Sequence, residues 1–133
     1  MNSESVGTKG RRDPPERTFE FAKEIVELCR SLDRAPGVSR TLAGQLLRAG
    51  TSIGANVEEA QAGQGRADVV AKAYIACKEA RETHCWLRLL AATGITAPSR
   101  LSPLIEESNQ LVAILTSIVK GARANANGRS TAQ

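Results

Sequence analysis

A single histidine, His84, and three cysteines, Cys29, Cys77 and Cys85, are the only residues of this 133-residue chain suited to imidazole or thiolate chemistry. His84 and Cys85 are adjacent. Neighbours on a helix point about 100° apart, so the two do not face each other as a thiolate–imidazole pair must. Arg81 stands one turn before Cys85, a placement that can activate a thiol, but reactivity also needs a positioned base and a cleft. Cys85 therefore reads as a structural or simply exposed thiol. Cys77 and Cys85 lie eight residues apart on one predicted helix, about 12 Å along its axis and beyond the ~7 Å that a disulfide spans. Cys29 falls on an apolar stripe and reads as a small core residue.

Carboxylates offer the next chemistry. A di-iron bundle draws Glu-x-x-His pairs from two helices, whereas Glu82 precedes the sole histidine by two residues. Glu58, Glu59, Glu79 and Glu82 are few for a hard-metal site of six or more converging oxygens, and are expected to pair with Arg48 and the basic residues that follow. Gly63-Gln64-Gly65-Arg66 lacks the Gly-Lys-Ser/Thr of a phosphate loop and has no strand before it, so it reads as a connection between helices. No catalytic residue, metal ligand or cofactor site is expected.

Cations are the positive lead. Residues 34–100 hold nine Lys/Arg against five Asp/Glu, while residues 16–33 hold three against five, so the basic excess belongs to the middle of the chain. Lys78, Arg81 and Arg88 fall within about one quadrant of a predicted helix, a spacing that presents cations to a phosphate backbone. The same three residues also fit a solvated face with intrahelical pairs, and the sequence pI of about 9.3 stands at the threshold for suspecting nucleic acid. Aromatic residues make up only 3% of the chain, namely Phe19, Phe21, Tyr74 and Trp86, which favours backbone contacts over base stacking.

Four segments must position these groups. Apolar residues at helical offsets predict helices over about Pro15–Asp33, from a Ser39 cap to about Ala62, over Arg66–Thr93 with Gly94 as its stop, and over Pro98–Arg123 with Gly121 weakening its last turn. No strand pattern competes. Short connections make sequence neighbours antiparallel neighbours, so the expected fold is an all-α, up-down-up-down four-helix bundle over residues 16–123. Residues 1–15 and 124–133 read as disordered tails, the first basic through Lys9, Arg11 and Arg12. The longest uncharged apolar stretch, Leu111–Val119, is about half of the ~20 residues a membrane span needs, so no membrane is expected. Arg11-Arg12 opens like a twin-arginine export signal, but Asp13-Pro14-Pro15-Glu16 stands where the apolar region would be. The expected compartment is the cytoplasm.

Two helices carry more apolar surface than one core needs. The second shows Ala43, Leu47, Gly50, Thr51 and Gly54 behind its main stripe, and the third shows Ile75, Trp86, Leu89 and Leu90 opposite its alanines. A second apolar side calls for a further partner, most commonly another copy of the chain. Gly50 and Gly54 have the small-xxx-small spacing that lets helices approach closely, in a setting too polar for a membrane dimer. Asn56 sits at the edge of the apolar sector, where a buried amide must find hydrogen-bond partners and can fix register.

The runs Arg48-Ala-Gly-Thr-Ser-Ile-Gly-Ala-Asn-Val-Glu-Glu-Ala60, Gly63-Gln64 and Lys78-Glu-Ala-Arg-Glu-Thr-His-Cys-Trp-Leu-Arg-Leu-Leu90 together resemble one family. Its founding members are encoded in intervening sequences of bacterial 23S ribosomal RNA genes, and it includes the accessory variability proteins of diversity-generating retroelements. The likeness spans about Phe19 to Gly121. It implies an up-down bundle assembled as a barrel-like homopentamer and, for the retroelement branch, a basic surface that binds nucleic acid and a reverse transcriptase. Cys85 stands where the family commonly has an aromatic, and Gly54 where many members have proline. The combined expectation is a non-enzymatic oligomeric helical scaffold that binds nucleic acid or a protein. The alternatives are a dedicated RNA- or DNA-binding accessory factor of a reverse-transcriptase system and, more distantly, a cysteine-dependent enzyme.

Overall fold

Asp13 opens the first helix: its carboxylate accepts the Glu16 N–H at 3.1 Å, and Pro14 follows in the first turn, where a missing N–H costs nothing. The computed structural model describes residues 13–63 and 65–132, with side chains described to Asn125. They form α1 (Pro14–Leu32), α2 (Val38–Gln61), α3 (Arg66–Ala92) and α4 (Pro98–Ala132), with no strand among the described residues. The basic tail residues Lys9, Arg11 and Arg12 lie outside the described residues, as does Gln64.

Two boundaries differ from expectation. Helix α2 starts at Val38 behind Gly37, whose φ of 90° is a left-handed conformation that glycine adopts without strain, so Gly37 and not Ser39 is the cap. Helix α4 continues past Arg123 to Ala132. Gly121 costs a helix about 1 kcal/mol, and the alanines around it are strong helix formers.

Cross-helix contacts fix the directions. Thr18, Ile25 and Cys29 of α1 meet Gly54, Gly50 and Ala43 of α2 in reverse order. Arg48 of α2 pairs with Glu79 of α3, and Glu59 with Lys72. Cys77 and His84 of α3 meet Thr116 and Ser108 of α4. Arg17 and Ser31 of α1 meet Glu107 and Arg100 of α4, which closes an up-down-up-down bundle. The closing α1–α4 seam is much the sparsest of the four. It is held by a bidentate pair, with Arg17 Nε and Nη2 donating to Glu107 at 2.7 and 2.8 Å, and Nη2 donating also to Gln110 Oε1 at 2.6 Å. The Glu107 carboxylate raises the Arg17 pKa further, so this guanidinium stays charged.

The expected stripes form the core. Phe21, Ile25, Leu28, Leu46, Ile53, Leu87, Leu101, Leu111 and Leu115 are all buried, with Ala49, Ala73, Ala76 and Ala80 filling the narrow gaps. Leu90 joins them at 1% exposure, against the expectation that it faces outward, because it stands only about 60° from Leu87 around the helix. Among the described residues three hydroxyls are buried, and each bonds to a backbone carbonyl of the preceding turn: Thr18, Thr83 and Ser108.

The small-residue pair of α2 serves α1. A Cβ on Gly50 would stand 2.8 Å from Ile25 Cγ2, and one on Gly54 3.4 Å from the Thr18 backbone oxygen. Ala43 is buried against the same helix through the Cys29 thiol, which donates to its carbonyl at 3.4 Å. The second apolar side of α2 is thus largely consumed within the chain. Asn56 is half-buried, and its Nδ2 donates to the Ser52 carbonyl of its own helix at 2.9 Å, a bond that does not fix register between helices.

These distances order three substitutions. Gly50→Ala pushes a methyl into the stiff branch of Ile25, an overpacking cost of about 1–3 kcal/mol that outweighs a helix-propensity gain of about 1 kcal/mol. Gly44→Ala, in open space, has only the gain, and Gly54→Ala falls between. Urea unfolding should rank stability Gly44→Ala above wild type above Gly50→Ala. A stabilising Gly50→Ala would mean that α1 and α2 are not held this close.

Candidate nucleic-acid interface

Helix α3 sorts its charges by neighbour. On the side facing α2, Glu79 accepts from Arg48 at 3.0 Å, and Glu82 accepts from the same guanidinium and, at 2.9 Å, from Trp86 Nε1. Lys72 meets Glu59 at 2.9 Å, and that contact raises the lysine pKa. The expected pairing of the four glutamates is therefore seen for Glu59, Glu79 and Glu82. With the acids drawn toward α2, the side facing α4 is left to cations.

There Lys78 and Arg81 line a groove of about 330 Å³ together with Lys120 and Arg123 of α4. All four are exposed, and no carboxylate among the described residues lines the groove. Lys78, Arg81 and Lys120 form no ion pair among the described residues. Cys77, Thr116 and Val119 make the floor, with Cys77 Sγ 3.3 Å from Thr116 Oγ1. Tyr74 closes one end, and the Arg123 guanidinium lies over its ring at 5.5 Å from the centroid. Arg88 is exposed but does not line the groove. It continues the Arg81 row two turns on, about 10.5 Å along the axis.

Sequence reasoning found the α3 half of this groove and missed Lys120 and Arg123. A signal existed. An antiparallel α3–α4 hairpin with a short turn brings the end of α4 beside the start of α3, and Lys120 and Arg123 have the i, i+3 spacing of a shared face.

The other singled-out residues separate. Leu47 is 39% exposed and lines a different groove, between α1 and α2, with Val26, Arg30 and Arg40. Ile75 and Leu89 are each 40% exposed on the outward row of α3, beside the half-buried Trp86. Gly50 and Gly54 face α1, and Asn56 bonds within its own helix. His84 Nδ1 lies 2.9 Å from Ser108 Oγ, which ties α3 to α4. Cys85 is exposed, while burial and the nearby Asp33 carboxylate push the Cys29 thiol up to about 11. Among the described residues no three His, Cys, Asp or Glu side chains converge as a metal site, and no helix is long and apolar enough to cross a membrane.

A family model described as 23S rRNA-intervening sequence protein matches residues 15–117. A crystal structure of a Bacteroides thetaiotaomicron protein of unknown function, from the S23 ribosomal protein family, is 38% identical, with a TM-score of 0.75 over 81% of this chain and 99% of that one. No curated protein matches.

The thiols should react in order of exposure and ionisation. In the native protein Cys85 should be modified first and Cys29 last, its thiol staying protonated well above neutral pH and reacting quickly only after unfolding. Timed labelling with a chromogenic disulfide, followed by mass spectrometry, reads the order. A Cys29 that labels as fast as Cys85 would contradict the packing of α1 on α2.

Proposed function

The chain belongs to the 23S rRNA-intervening sequence protein family, and we propose that it acts as a cytoplasmic, non-enzymatic, oligomeric helical scaffold that binds nucleic acid through phosphate contacts. One observation carries the reading: four exposed cations on two helices line a single groove with no carboxylate on its walls among the described residues. Phosphate contacts need only cations at suitable spacing, whereas base-edge readout needs donors shaped to a groove. Binding is therefore expected to be independent of sequence, with Arg88 as an outlying member of the same row. A reverse transcriptase, implied by the resemblance to retroelement accessory proteins, is the protein partner this reading proposes.

Oligomerisation supports the same use, because a symmetric assembly repeats the groove and adds its contacts. We propose a homopentamer, on the family resemblance and on the outward row of Ile75, Trp86 and Leu89, which the described residues leave partly uncovered. Light scattering coupled to size exclusion should give a mass several times 14.1 kDa, and the double substitution Ile75→Glu, Leu89→Glu should return the monomer at unchanged helicity. A wild-type monomer at micromolar concentration would remove the assembly.

Affinity for nucleic acid should fall steeply with salt, log K declining against log salt by about 0.7 to 0.9 per phosphate neutralised. Reversal of Lys78, Arg81 and Lys120 to Glu should flatten that slope while helicity and mass stay unchanged. Equal binding by the reversed protein would locate the contact elsewhere.

A further inference from the structure

Four cations explain attraction to any polyanion, but they do not explain why the groove ends on an exposed ring. Tyr74 is one of four aromatic residues in the chain, and the residue is 47% exposed at the groove end. Phe21 by contrast is 1% exposed and Trp86 is half-buried with its N–H bonded to Glu82, while Phe19, exposed at 58%, stands on α1 and does not line this groove. The Arg123 guanidinium lies over the Tyr74 ring, 5.5 Å from its centroid, so cation and ring form one composite surface continuous with Lys78, Arg81 and Lys120. Lys120 and Arg123 also fall beyond residues 15–117, the stretch matched to the family.

We infer that Tyr74 and Arg123 form a stacking platform for an unpaired base, so that the groove prefers single-stranded nucleic acid over duplex. This rests on the phosphate-binding reading above and adds a selection to it. In a duplex the faces of the bases are covered by their neighbours, and only phosphates reach the cations. A single strand presents both phosphates and free base faces, and a ring flanked by a guanidinium offers it π-stacking and cation–π contact together. Any base has a π-face, so the platform adds strand preference without sequence preference.

The test measures fluorescence anisotropy of the full chain with a mixed-sequence oligonucleotide of about 20 nucleotides, as DNA and as RNA, each single-stranded and annealed to its complement. The wild type should bind the single strand more tightly. Tyr74→Ala should weaken single-strand binding roughly 5- to 160-fold, the range that loss of one stacked base spans, and leave duplex binding nearly unchanged. Tyr74→Phe, which keeps the ring, should restore the preference, and circular dichroism should show equal helicity for all three. Equal wild-type affinity for both strand forms, or a preference that survives Tyr74→Ala, overturns the platform while salt-dependent binding keeps the phosphate reading. Failure of the wild type to bind either form overturns both.

Discussion

How closely α1 and α2 approach each other sets the rest of the bundle. With Gly50 under the branch of Ile25 and Gly54 against the Thr18 backbone, there is no room for a Cβ at the first position, and one at the second would sit in direct contact with Thr18. A chain with 3% aromatic residues cannot fill wide gaps, so its core depends on small residues that let aliphatic ridges interlock. Alanines continue the device on α3, where Ala73, Ala76 and Ala80 lie buried beneath the neighbouring helices.

Narrow packing has an electrostatic consequence. The face of α3 outside the core is wide enough to hold two rows, and the residues divide between them by neighbour. Arg48 of α2 draws Glu79 and Glu82 to one side, where Trp86 completes the network. Lys78 and Arg81 remain on the other, where α4 brings Lys120 and Arg123 instead of carboxylates. A net formal charge of only +4 is thereby concentrated locally, which suits a backbone contact better than the total suggests.

The groups best suited to chemistry are spent on holding the fold. His84 is hydrogen-bonded to Ser108 across the α3–α4 contact, and Cys29 is buried with its thiol on the Ala43 carbonyl. At the sparse α1–α4 seam, a partly buried bidentate Arg17–Glu107 pair contributes direction where few apolar contacts are available. Cys85, the exposed thiol, has no imidazole facing it, as the 100° turn between adjacent helix positions requires.

The sequence by itself determined four helices, their order and nearly every core position, because a 3.6-residue apolar period leaves one arrangement of stripes and short connections leave one topology. It also marked Lys78 and Arg81 as exposed cations, since intrahelical spacing is a property of the chain alone. Only the tertiary structure decided which second faces are buried, turning Gly50, Gly54 and Leu90 inward while leaving Ile75 and Leu89 exposed. It likewise decided that Lys120, Arg123 and Tyr74 join the α3 cations. Periodicity specifies the angle of a residue around its own helix, but which neighbour occupies that angle depends on packing between segments far apart in sequence.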